Sequence, residues 1–273
     1  MNNNNNNGNN ISDKKATTTM KRILCLHGLY QSGSIMSNKI GGARRRLSRV
    51  YELHFLDGPM LLPPKGGNNN HEEQQYGWFL RNQETNKANT DQVCDAFEYI
   101  ISETQGQSYD GIIGFSQGGT IATALAISGI LSPTCKAVVT AGAPMSEEVF
   151  TIAKTYIKSN EGKSANDDND SDDGYSMPKL HMAGETDSMI PLESTRSLCD
   201  SGGNGELLIH EKGHLFPTRA KYVNHMMEFL ETNIQWFLFV SCMIKIMLTF
   251  FDILASNHST TSGWNKILQE PMP

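Results

Sequence analysis

The sequence predicts an α/β fold, a mainly parallel sheet of about six strands with helices on both faces, and three observations carry that expectation. From Lys21 to about Glu231, short β-rich runs alternate with helical patterns, as crossover connections between parallel strands require. Around residue 114 an apolar run passes through a glycine-rich turn into an Ala-rich helix, a strand-turn-helix junction of the kind such sheets repeat. At 273 residues the chain is long enough to bury one sizeable core without disulfides or metal.

In chain order the expected strands are Arg22 to Leu26, Val50 to Leu56, Tyr109 to Gly114, Lys136 to Ala141, Lys179 to Ala183 and Glu206 to His210. Helical patterns fall between them at Ser34 to Leu47, Thr90 to Thr104, Gln117 to Ile130, Ser146 to Ile157, Leu192 to Asp200 and Phe216 to Thr232. In the third of these, Ile121, Leu125 and Ile127 stand among small residues that suit a closely packed, buried helix. Residues 21–232 thus read as one domain. Ligands in open sheets of this kind gather at the C-terminal ends of the strands.

Two insertions interrupt the alternation. Residues 58–89 contain Pro63-Pro64, an Asn68-Asn69-Asn70 tract and the aromatic Tyr76-Gly77-Trp78-Phe79 run, and are expected to form a partial lid. Trp78 is the candidate substrate-contacting aromatic there, with packing on the core as the competing expectation. Residues 158–176, rich in Asp, Asn and Ser, read as a disordered acidic loop. Its acids have no calcium-loop spacing.

Residues 1–20 are mostly asparagine and small polar residues, a disordered tail without the apolar core of a secretory signal. Residues 233–273 form an apolar extension whose segment 234–254 is long enough to cross a bilayer. Its apolar residues contribute on the order of -5 kcal/mol to insertion, while Lys245 alone costs roughly 3 and Asp252 adds more. The expectation is therefore a cytoplasmic protein, with residues 234–254 as the candidate for any membrane contact.

The net charge of -6 and the lack of a basic cluster beyond Arg44-Arg45-Arg46 argue against a nucleic-acid partner. Five cysteines without a paired spacing fit a reducing compartment. No residue pattern calls for a metal or cofactor.

Gly114-Phe115-Ser116-Gln117-Gly118, placed between strand and helix, reads as a nucleophile elbow. The elbow holds a serine hydroxyl clear of the sheet, at the positive end of the following helix. A hydroxyl attacks only when a base removes its proton, and in this order of motifs an acid and then a histidine follow in the chain. Asp187, in the loop Gly184-Glu185-Thr186-Asp187 after a strand, is the preferred acid, with Glu185 as its rival. His214, in the loop Gly213-His214 after the last strand, is the preferred base over His210. The first strand ends at Leu26-His27-Gly28-Leu29-Tyr30. There Leu29 is expected to join Gln117 in donating backbone N–H groups to an oxyanion, with Tyr30 as the alternative donor and a candidate substrate contact. His27 is expected to brace this loop.

At these residues the chain resembles the FSH family of serine hydrolases. The likeness rests on Leu26-His27-Gly28, Phe55-Leu56-Asp57-Gly58-Pro59, Gly114-Phe115-Ser116-Gln117-Gly118-Gly119, Gly184-Glu185-Thr186-Asp187 and Gly213-His214, with Trp78-Phe79 and Pro217 beside them. It implies an α/β-hydrolase fold, a triad of Ser116, Asp187 and His214, no cofactor, and hydrolysis of carboxylic esters or thioesters with aliphatic acyl chains. The alternatives are a catalytically silent module that binds acyl groups or a partner on the same fold, and an acyltransferase. The asparagine-rich start, the acidic loop and the apolar tail lie outside the family pattern.

Overall fold

The computed structural model describes residues 20–63, 73–130, 134–160, 177–201 and 203–234. The expected N-terminal tail, nearly all of the acidic loop and almost all of the apolar extension lie outside them. No helix of the described residues is long and apolar enough to cross a membrane.

Six strands form one sheet: β1 (Lys21–Leu26), β2 (Tyr51–Leu56), β5 (Gly111–Phe115), β6 (Ala137–Ala141), β7 (Lys179–Gly184) and β8 (Gly205–His210). Their order is β2-β1-β5-β6-β7-β8, and every neighbouring pair is parallel. The sheet is the one expected from the alternation, with strand ends displaced by one or two residues. Two short strands from the 58–89 insertion, β3 (Met60–Leu62) and β4 (Gln75–Gly77), pair antiparallel on their own.

Side chains of the strands alternate between two apolar clusters, as a period of two demands. Leu24, Leu26, Ile112 and Val138 belong to one cluster, and Ile23, Cys25, Ile113 and Val139 to the other. The first cluster is closed by α3 (Thr90–Thr104), α4 (Gln117–Ser128), α5 (Glu147–Asn160) and α6 (Leu192–Asp200) through Phe97, Leu125, Phe150 and Leu198. The second is closed by α1 (Gly33–Lys39), α2 (Gly41–Leu47) and a helix over residues 220–234 through Met36, Leu47 and Met226. Parallel strands covered on both faces carry continuous apolar runs, which is why β5 and β6 are buried at every residue.

Two helices differ from the sequence expectation. The pattern Ser34 to Leu47 is broken at Ile40, whose φ of -92° and ψ of 18° depart from the helix. The following Gly41-Gly42 pair has low helix propensity, and the break lets both Met36 and Ile40 turn into the core. The last helix begins at residue 220 instead of Phe216. Residues 216–218, around Pro217, stay outside the helix, and Phe216 and Thr218 line the cleft described below.

The chain leaves β1 for β2 at the sheet edge and returns to β5 on β1's other side. Such a switch point opens a crevice at the strands' C-terminal ends. The register Leu26↔Gly114 brings the residues two positions beyond this pair, Gly28 and Ser116, into contact. A Cβ on Gly28 would lie 3.2 Å from the Ser116 Cβ. At Gly118 the approach is closer still, because a Cβ there would meet the Leu26 carbonyl oxygen at 2.3 Å and that of His27 at 2.4 Å.

Three consequences are measurable. Gly118→Ala must displace backbone and is expected to cost about 2–3 kcal/mol, read as a lower urea midpoint. Gly41→Ala, where a Cβ meets nothing within 4 Å, should leave the midpoint in place or raise it by up to about 1 kcal/mol. Burial, with neighbouring Lys179, lowers the pKa of His181 to about 4 from its ordinary 6.5. The unfolded chain therefore takes up this proton as pH falls through 6.5, while the folded chain does so only near 4. The contribution is complete above pH 6.5 and is lost between 6.5 and 4, by about 3 kcal/mol. Urea midpoints measured across that window should fall less steeply in His181→Gln.

Candidate active site

Ser116 sits between β5 and α4 with φ 51° and ψ -121°, a conformation that costs a non-glycine residue about 1–3 kcal/mol. The surrounding backbone holds it there. Its N–H donates to the Ala141 carbonyl at 2.9 Å, and its own carbonyl accepts from Gly119 and Thr120. A Cβ at Gly114 would lie 2.5 Å from the Gly119 Cα, so the turn closes only because both residues are glycine.

Three of the residues singled out in the sequence converge here. The Ser116 hydroxyl lies 3.1 Å from His214 Nε2, and His214 Nδ1 lies 2.7 Å from Asp187 Oδ2. With Nδ1–H donating to the carboxylate, Nε2 is left as the acceptor for the serine proton. The other Asp187 oxygen accepts from the N–H groups of Met189 and Ile190 at 2.9 Å. Its side chain is 2 % exposed and that of His214 is 12 % exposed, so solvent screens the pair only weakly. Gly142, at φ 57°, lets the imidazole pass, since a Cβ there would be 3.0 Å from His214 Cε1. The rivals stand apart from this chain. Glu185 is exposed, and His210 is buried with its ring against Tyr222.

The Leu29 and Gln117 backbone N–H groups engage no hydrogen bond among the described residues. The alternative donor, the N–H of Tyr30, is already given to the Tyr76 carbonyl at 3.0 Å. His27 is fully buried and braces the loop. Nδ1–H donates to the Gly28 carbonyl at 2.7 Å, and Nε2 accepts from the Gly58 N–H at 2.8 Å. Burial lowers its pKa, consistent with the neutral ring that this bonding needs.

Ser116, Gln117 and His214 open into a cleft of about 1020 Å³. Tyr30 lines it. Trp78, expected as a substrate contact, does not. It is fully buried, its indole N–H donates to the His27 carbonyl at 2.8 Å, and its ring packs 5.2 Å from the His27 ring. A buried indole takes the place where its N–H is paired, and the neighbouring Phe79 forms the cleft wall.

The Gln117 side chain is a feature that sequence reasoning missed. Its Oε1 accepts from the Trp78 N–H at 3.0 Å, and its Nε2 donates to the Phe79 carbonyl at 2.6 Å. One amide thus fastens the 58–89 insertion to the residue after Ser116. An amide on the first turn of a buried helix was the available signal, because such a group must find partners. The guanidinium of Arg81 adds a second tie, reaching Glu148 on α5 at 2.6 Å and Ser146, just before that helix, at 2.9 Å.

Residues 16–226 match the family described as serine hydrolase (FSH1). Esterase CG5412 of Drosophila melanogaster is 27% identical over 225 residues, covering 80% of this chain and 76% of that protein. Esterase OVCA2 of Danio rerio is 26% identical over 234 residues, covering 77% and 96%. Among solved structures, Arabidopsis thaliana SOBER1 superposes with a TM-score of 0.52 at 18% identity, over 78% of this chain and 99% of that one. This last likeness is one of fold.

Gln117→Ala keeps the backbone N–H but leaves the Trp78 N–H and the Phe79 carbonyl without their partner. A loss of about 1–3 kcal/mol is expected in chemical denaturation. Amide exchange at Trp78 should quicken, and an unchanged exchange rate there would show that the amide does not hold the segment.

Proposed function

Because the chain belongs to the FSH1 family of serine hydrolases, we propose that Ser116, His214 and Asp187 are its catalytic triad, and that it cleaves carboxylic esters or thioesters of aliphatic acyl chains. The observation that carries this reading is the continuous path Ser116 Oγ, His214 Nε2, His214 Nδ1, Asp187 Oδ2, opening into a cleft walled by Leu29, Met36, Phe79 and Phe216.

Ser116 Oγ attacks the acyl carbonyl carbon as its proton passes to His214 Nε2. Asp187 holds the imidazole in the tautomer that can accept it, and stabilises the imidazolium that forms. The carbonyl oxygen becomes an oxyanion, and the N–H groups of Gln117 and Leu29 are aimed at it. The positive end of α4 supports the same charge. Collapse breaks the bond from carbonyl carbon to leaving oxygen or sulfur. The leaving group takes the proton from His214, and the acyl group stays on Ser116. A water molecule then gives its proton to His214 and its oxygen to the acyl carbon. Release of the acid returns the proton to Ser116.

The apolar walls suit an alkyl chain, which gains roughly 0.8 kcal/mol for each CH₂ buried. Tyr30, at the mouth of the loop after β1, is the proposed contact near the ester, and no step requires a metal or cofactor.

A fluorophosphonate probe should label the wild type and spare Ser116→Ala, whereas equal labelling of both would remove Ser116 as nucleophile. With a p-nitrophenyl octanoate assay, Ser116→Ala and His214→Ala should each lower kcat by on the order of 10⁴-fold or more. In the same assay Asp187→Ala should cost on the order of 10⁴-fold, and Glu185→Ala less than about twofold.

A further inference from the structure

The cleft is lined by elements from both faces of the sheet, and its two sides are called its arms below. One arm is bounded by Phe79 and Arg81, whose segment packs on the α3–α5 side. The other is bounded by Met36, Lys39 and Ile40 of the α1 region and by Phe216 and Thr218. Just beyond this side, α2 comes close to Thr218, because a Cβ on Gly42 would lie 3.6 Å from the Thr218 Cβ. Apolar residues line both sides, and each side carries one cation, Arg81 on the first and Lys39 on the second. No aspartate or glutamate lines the cleft among the described residues, although the chain as a whole is acidic, at -6.

The two cations are in different states. The Arg81 guanidinium is committed to protein partners: Nη1 to Glu148 at 2.6 Å and to the Asn86 carbonyl at 2.7 Å, and Nη2 to Ser146 at 2.9 Å. Lys39 is exposed and makes no ion pair or side-chain hydrogen bond among the described residues. It stands three residues beyond the buried Met36 on α1, so the two share a helix face. Its aliphatic stem can lie along that apolar wall with the ammonium at the rim. Thr218 lines the same side of the cleft.

We propose that Lys39 is a specificity residue, and that the preferred substrates are acyl esters bearing an anionic group, carboxylate or phosphate, at the end that enters the arm between α1 and residues 216–218. The inference rests on the hydrolase reading of Ser116. An apolar wall beside an ammonium with no ion pair among the described residues favours a ligand that is greasy near the ester and charged at its far end. A neutral alkyl chain gains the first contact and not the second. The anion can belong to either side of the ester, as the terminal carboxylate of a diacid or as a phosphate on the leaving group.

Two substrate pairs separate these sources: mono-p-nitrophenyl suberate against p-nitrophenyl octanoate, and 1-octanoylglycerol 3-phosphate against 1-octanoylglycerol. For each pair the anionic-to-neutral ratio of kcat/KM is read in the full-length wild type, Lys39→Ala and Lys39→Glu. In the pair that carries the anion correctly, the ratio should fall about fivefold in Lys39→Ala and further in Lys39→Glu. It should also fall with added salt in the wild type more than in Lys39→Ala. Using a ratio within one protein cancels any loss of folded enzyme. If neutral esters are cleaved and neither ratio moves, the role of Lys39 is overturned while the hydrolase reading stands. If the wild type cleaves no ester of either pair and takes no fluorophosphonate, both are overturned.

Discussion

At Ser116 the chain must turn from a fully buried strand into a buried helix with a positive φ, and much of the surrounding sequence follows from that requirement. The strain, about 1–3 kcal/mol, persists because neighbouring groups leave no alternative. Gly114, Gly118 and Gly119 let β5, α4 and the end of β1 approach to distances no side chain would survive. Gly28 and Gly142 extend the same constraint to the first loop and to the imidazole of His214. The consequence is a hydroxyl placed at a helix N-terminus, beside unengaged backbone N–H groups and within 3.1 Å of a ring nitrogen.

Three separate loops must hold still around that hydroxyl, and each is secured by a different device. The loop after β1 is pinned by the neutral His27 ring, which bridges Gly28 and Gly58. Asp57 strengthens it by accepting the Gly33 N–H at 2.6 Å. The 58–89 insertion is tied down by Gln117 and by the Trp78 indole. The acid loop is ordered by the carboxylate itself, since Asp187 accepts two backbone N–H groups while holding His214. Buried polar networks of this kind are stabilising only when every member is satisfied. Here the groups around Ser116 form one connected set running from Gly33 to Phe79.

The α/β class, the six strands and the order serine, acid, histidine were legible because each depends on local pattern. Buried parallel strands are apolar runs, and an elbow needs its glycines at fixed offsets. The break at Ile40 was not read from the sequence, because the pattern of apolar spacing continues across it; the low helix propensity of Gly41-Gly42 was the available signal. The choice of Trp78 over Phe79 as cleft residue failed for a similar reason. Both are aromatic and both are buried; what separates them is a carbonyl of His27, 51 residues away in sequence, that the indole N–H can reach.

By itself, then, the sequence determined the fold class, the family and the candidates for the residues that meet at Ser116, since these are written in periodicity, turn chemistry and motif order. Tertiary structure decided the rest. It selected Asp187 over Glu185 and His214 over His210, because only the folded sheet brings one carboxylate and one imidazole into line with the serine. It also committed the Arg81 charge to Glu148 and left Lys39 at the cleft without an ion pair among the described residues, a difference set by which neighbours lie within hydrogen-bond reach.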